Sequence, residues 1–174
     1  MSRIAIVLGE DFEDSEFRKP CAALRSAGHD VTIVGAEAGK TLDGKKGEVH
    51  AQVEKAAKDV DASHFDALVI PGGYSPDHLR IEPDVVKFVA AMVKAGKVIA
   101  AICHGPQLLI EAGVVKGKTM TSFPSVKTDL INAGATWVDR EVYEDGTFIT
   151  SRNPHDIPAF IRSIEHQLDA LSAS

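Results

Sequence analysis

Short apolar, β-branched runs recur along the chain: RIAIVL (3–8), DVTIVG (30–35), DALVIPGG (66–73) and KVIAAIC (97–103). None alternates between apolar and polar as a half-exposed strand would, so each predicts a strand covered on both faces, the pattern of a parallel sheet. Between them, EFRKPCAALRSAGH (16–29) and EPDVVKFVAAMVKAGK (82–97) have helical spacing. Gly28 and Gly96 stand where those helices end, and Pro83 stands near a start. Pro20 lies inside the first of these patterns and predicts a helix that begins there or is kinked. The Gly- and Lys-rich stretch 36–53 reads as a surface loop with a short hairpin. Beyond the fourth strand the pattern gives a helix to about Ala112, a strand over 118–123 and a helix over 125–135. A hairpin turning at Asp145-Gly146 follows. The last helix, over 156–172, aligns Ile157, Phe160, Ile161, Ile164 and Leu168 on one face.

Strand and helix in alternation predict a doubly wound α/β sandwich, a mainly parallel sheet with helices on both faces. With 174 residues, the chain has room for one domain spanning 1–174. Ligands of such sheets bind beyond the carboxyl ends of the strands. Three loops meet there: GEDFED after the first strand, PGGYSPDH after the third and CHGP after the fourth.

Charge narrows the partner. The net charge of -6, with no run of Lys and Arg, argues against nucleic acid or an anionic membrane and favours a small molecule or a protein. The first sixteen residues have too short an apolar run for a signal peptide before the chain turns acidic, and no segment approaches the length of a membrane span, so a cytoplasmic protein is expected. The two cysteines lack C-x-x-C spacing, which favours reduced thiols over a disulfide or a zinc site.

The sequence AICHGP offers the chemistry. A strand that ends in a cysteine flanked by the small residues Ala101 and Gly105 fits a nucleophile elbow. Pro106 would open the following helix, whose start biases the Cys103 thiol toward the reactive thiolate. The backbone N–H of His104 would face an oxyanion, and its imidazole is a candidate base. Gly72 and Gly73 leave backbone bare for a second oxyanion donor. A carboxyl from the acidic loop, with its pKa raised beside the thiolate, could stay protonated and hydrogen-bond the sulfur. Glu10, Asp11, Glu13 and Asp14 are equivalent candidates for it. Cys21 lies in an apolar helical pattern and reads as packing. Trp137 and Phe123 read as core or interface, and His78 lies near the crevice without an assigned role.

Together, EDFEDSE (10–16), FDALVIPGG (65–73), AAICHGPQLL (100–109), INAGATWVD and SRNPHDIPAF resemble the PfpI family of cysteine hydrolases within the ThiJ/PfpI superfamily, across almost the whole chain. The resemblance implies a flavodoxin-like sandwich with Cys103 as nucleophile, His104 beside it and Glu13 as the protonated partner of the sulfur. It also implies a homo-oligomer, dimer or hexamer, in which Asp77 of one subunit orients the histidine of the next. Asp77 is shorter than the Glu found there in archaeal members. The implied activities are deglycation of glyoxal- and methylglyoxal-modified amines, a glyoxalase-like stress function or intracellular proteolysis, without metal or organic cofactor. The non-enzymatic rival is a redox sensor or chaperone that works by oxidation of Cys103. A glutamine amidotransferase would require a late His-x-Glu pair, and neither His155 nor His166 supplies one. No G-x-G-x-x-G turn or Walker loop supports a nucleotide site.

Overall fold

Ile4, Ile6 and Leu8 point to one side of their strand while Ala5 and Val7 point to the other, and all five are fully buried. Each set packs into a different hydrophobic cluster, so this strand is sealed on both faces. The computed structural model, which describes residues 1–173, builds a seven-stranded sheet around it. In chain order its strands are β1 (Arg3–Val7), β2 (Asp30–Gly35), β5 (Lys55–Ala56), β6 (Ala67–Ile70), β7 (Val98–Ile102), β10 (Tyr143–Asp145) and β11 (Phe148–Ser151). Their spatial order is β10-β11-β7-β6-β1-β2-β5. Every pairing is parallel except that of β10 with β11, the hairpin that turns at Asp145-Gly146.

Helices cover both faces. On one, α1 (Asp14–Ser26) and α6 (Ile157–Ser172) bring Phe17, Leu24, Phe160 and Ile164 against Ile4, Ile6, Ala100 and Ile102. On the other, α3 (Pro83–Lys94), α4 (Pro106–Glu111) and α5 (Lys127–Asn132) bring Val85, Met92, Leu108 and Leu130 against Val7, Leu68, Ile70 and Ile99. The doubly wound, three-layer expectation holds. The short α2 (Ser75–Leu79) follows the loop after β6.

Local differences have local causes. Helix α1 starts at Asp14 and continues through Pro20, instead of starting there, because Glu13 caps it by accepting the Ser15 N–H at 2.9 Å. The run 118–123 forms only β8 (Thr119–Met120), which pairs with β9 (Thr136–Trp137) in a separate two-stranded sheet. The 36–53 excursion folds as the expected hairpin of β3 (Thr41–Asp43) and β4 (His50–Gln52). Among the described residues, no helix is long and apolar enough to cross a membrane.

The turn from β7 into α4 is closely confined. A Cβ on Gly105 would lie 2.5 Å from the Ile70 carbonyl oxygen and 3.0 Å from backbone atoms of Ile102, and backbone cannot move aside as a flexible side chain can. Gly105→Ala is therefore expected to destabilise the protein by about 1–3 kcal/mol. The measure is a lower urea midpoint at unchanged slope.

Candidate active site

Cys103 has a φ of +64°, in the left-handed region that a residue with a Cβ occupies only at a cost. The surrounding structure holds it there: its N–H donates to the Ser151 carbonyl at 3.0 Å, and its carbonyl accepts the Phe123 N–H at 2.9 Å. This sharp turn is the expected elbow. It brings the thiol, which is 6% exposed, to the carboxyl end of the sheet, and separates it enough from its neighbour for Sγ to face His104 Nδ1 at 3.2 Å.

Two backbone N–H groups, of His104 and Gly73, act on the sulfur and favour its charged form. Of the two glycines expected to donate to an oxyanion, only Gly73 has its N–H aimed here. The Gly72 N–H is already committed to Glu16 Oε1 at 2.9 Å, which corrects its assignment. Gly72 serves by its lack of a side chain, since a Cβ would meet Glu16 Oε1 at 2.6 Å and Cys103 Cβ at 2.9 Å. Gly73 has a φ of +72°, and a Cβ there would lie 2.3 Å from the Glu13 nitrogen.

The carboxyl beside the sulfur belongs to Glu16 and not to Glu13. Glu16 is fully buried beside the Cys103 thiol, which favours its charged form, and its Oε2 has no hydrogen-bond partner. Burial pushes its pKa up to about 8. Glu13 instead caps α1 and pairs through Oε1 with Lys46 at 3.3 Å and Lys45 at 3.6 Å. Burial works against its charge, but the Ser15 hydrogen bonds and Lys46 hold its carboxyl below the ordinary range, so it stays ionised. One helical turn separates the two roles. A residue at the helix start bonds the exposed backbone N–H groups, whereas Glu16, three positions on, projects under the sheet edge.

The expected electrostatic activation also needs correction. Burial, and after it the Glu16 charge, push the Cys103 thiol above its ordinary value, while the N–H groups of His104 and Gly73 pull it down. The start of α4 does not activate the sulfur by itself. Its thiolate requires a neutral Glu16, whose ionised form would face a second negative charge.

His104 is half-buried, and burial followed by the positive charge of Lys45 holds its pKa below the usual value, which favours the neutral, proton-accepting ring. Phe123 lies parallel to the ring at 5.0 Å and is not core packing; Ser125 Oγ faces Nε2 at 3.2 Å. Trp137 donates to Ser122 Oγ at 3.0 Å. Asp77 is exposed on α2, and the hydrogen bonds of the His104 ring within the chain go to Cys103 and Ser125. His78 faces Asp11 at 3.6 Å on the rim. Cys21 is buried in α1, and both cysteines are free. Among the described residues, no group of three or more His, Cys, Asp or Glu side chains is placed to hold a metal ion.

Lys45 and Lys46 reach this crevice from the β3–β4 loop, which Asp14 anchors. The buried Asp14 carboxylate accepts the N–H groups of Lys46, Glu48 and Val49 at 2.9–3.1 Å. The sequence marks that loop only by its glycines and lysines, and nothing in it indicates which side chain it turns inward.

A parallel α/β sandwich that presents a cysteine in a strained strand-to-helix elbow, with a buried carboxyl beneath the sulfur, defines a class of flavodoxin-like cysteine proteins. The chain belongs to the DJ-1/PfpI family, whose model matches residues 2–167. It is 45% identical over 169 residues to protein/nucleic acid deglycase 2 of Escherichia coli, covering 97% of this chain and 98% of that one. It is 47% identical over 161 residues to general stress protein 18 of Bacillus subtilis, covering 92% of this chain and 94% of that one. A crystal structure of a two-domain protein of Anabaena variabilis, with DJ-1/ThiJ/PfpI-like and ferritin-like domains, superposes with a TM-score of 0.96 at 40% identity. That match covers 97% of this chain and 48% of the two-domain one, so the chain spans about half its length.

Two outcomes follow from the carboxyl assignment. Glu16→Gln should slow alkylation of Cys103 by iodoacetamide about tenfold or more, whereas Glu13→Gln should change it about twofold at most. The raised pKa of Glu16 favours the folded state most where the carboxyl is neutral in both states. This contribution is complete below about pH 4.5 and is lost as the pH rises through about 8. The urea midpoint of the wild type should therefore fall between about pH 5 and about pH 8, and that of Glu16→Gln should fall distinctly less.

Proposed function

We propose that the chain is a cysteine hydrolase of the PfpI type that removes glyoxal- or methylglyoxal-derived adducts from amines through Cys103. One observation carries the reading: Sγ faces His104 Nδ1 at 3.2 Å, beside the buried Glu16 carboxyl and the backbone N–H groups of His104 and Gly73. The deglycase name of the Escherichia coli relative supports the substrate class.

The chemistry follows from these positions. The thiol proton passes to His104 and the thiolate attacks the hemiaminal carbon, forming a C–S bond as the C–N bond breaks; the amine leaves with the proton from the imidazolium. The product is a hemithioacetal with a carbonyl on the adjacent carbon. His104 removes the proton from the sulfur-bearing carbon, giving an enediol, and a proton returned to the neighbouring carbon leaves a hydroxyacyl thioester. Water then cleaves this thioester through an oxyanion held by the Gly73 and His104 N–H groups, releasing a hydroxy acid and the free thiol. The carbon skeleton is oxidised at one carbon and reduced at the next, so no external redox partner is needed. Neutral Glu16 donates to the sulfur whenever it carries charge.

A methylglyoxal-modified amine and an unmodified peptide, offered to wild type, Cys103→Ser and Glu16→Gln, test the reading. Amine and hydroxy acid should appear with wild type, vanish with Cys103→Ser and form about 100-fold more slowly with Glu16→Gln. Peptide cleavage without adduct turnover would replace this activity with a peptidase. A peroxide-driven mass increase at Cys103 without any turnover would replace it with a redox sensor.

A further inference from the structure

His104 engages both ring nitrogens. Nδ1 faces Cys103 Sγ and Nε2 faces Ser125 Oγ, each at 3.2 Å, while Phe123 covers one face of the ring. Ser125 stands in the short turn before α5 and is exposed, so a buried sulfur connects through one imidazole to a hydroxyl in contact with solvent. A neutral imidazole carries its hydrogen on one nitrogen and accepts through the other. Nδ1 can take the thiol proton only when the hydrogen resides on Nε2, and that tautomer is favoured where Nε2 has an acceptor.

We infer that Ser125 is a positioning residue for the proposed reaction: its hydroxyl oxygen accepts the Nε2–H of His104 and fixes the tautomer whose Nδ1 lone pair faces the sulfur. The inference rests on the reading of Cys103 as nucleophile. When the thiol proton moves to Nδ1, the products are a thiolate and an imidazolium that still donates from Nε2 to Ser125. When the leaving amine takes that proton, the ring returns to its starting tautomer without turning over. A hydroxyl has no net charge, so it orients the ring without holding the imidazolium as a carboxylate would. Burial and the Lys45 charge also disfavour the imidazolium, and Cys103 faces the ring through Nδ1.

Ser125→Ala, Ser125→Thr and Asp77→Asn in the full chain test the assignment. The readouts are the ring nitrogen chemical shifts of His104, which report its tautomer, and the pH dependence of iodoacetamide alkylation at Cys103. Wild type and Ser125→Thr should show the Nε2–H tautomer and Ser125→Ala a mixture. Alkylation near neutral pH should be about fivefold slower in Ser125→Ala, the scale of one hydrogen bond, and return to within about twofold in Ser125→Thr. An Nδ1–H tautomer in wild type, or no change of shifts and alkylation in Ser125→Ala, would overturn the inference. So would a tautomer that responds to Asp77→Asn and not to Ser125→Ala, since the partner of the ring would then be a carboxylate from a second copy. Alkylation needs no substrate. Dependence on Ser125 without adduct turnover would therefore sink the deglycase reading and leave this one standing.

Discussion

Two acids, the Glu16 carboxyl and the Cys103 thiol, meet where the sheet and α1 exclude water, and such a space accommodates one negative charge far more readily than two. Much of the surrounding structure serves that contact. Gly72 has no side chain, so Glu16 can pass beneath it and accept its N–H, and Gly73 turns its own N–H toward the sulfur. The left-handed backbone at Cys103 and the bare Gly105 set the thiol above the carboxyl. The position of the proton within the pair then decides whether sulfur or oxygen carries charge.

The cations nearby are tied to a different carboxylate, although the Lys45 charge still reaches Glu16 and His104. Lys45 and Lys46 are paired with Glu13, whose carboxylate caps a helix. Asp14, the next residue, fixes the loop that carries both lysines through three backbone N–H groups. Three acidic side chains within one turn of α1 thus do three different things: one binds cations, one binds backbone and one faces the thiol. The hydrogen bonds and Lys46 at Glu13, and the backbone N–H groups at Asp14, favour the charged carboxylates, whereas burial dominates at Glu16.

This division explains what the sequence disclosed. The strands were legible because residues such as Ile4 to Leu8 are apolar without alternation, and the elbow because Ala101, Gly105 and Pro106 are the residues its crowding demands. Which acid faces the sulfur was not legible. It depends on where α1 begins, and Pro20 left open a start there or a kink, whereas the helix starts at Asp14, after the Glu13 cap, and places Glu16 inward. Lys45, Phe123 and Ser125 were hidden for another reason. They lie far from Cys103 along the chain, on loops, and only tertiary folding brings them to the site.

The two backbone hydrogen bonds that hold Cys103 in its strained turn have a temporal consequence. Both anchors, the Ser151 carbonyl and the Phe123 N–H, belong to parts of the chain synthesised after the cysteine, and β11 must first insert beside β7. A nascent polypeptide emerging from the ribosome with residues 1–147 lacks the Ser151 anchor. The strained turn at Cys103 is therefore complete only once the closing strand β11 has joined the sheet.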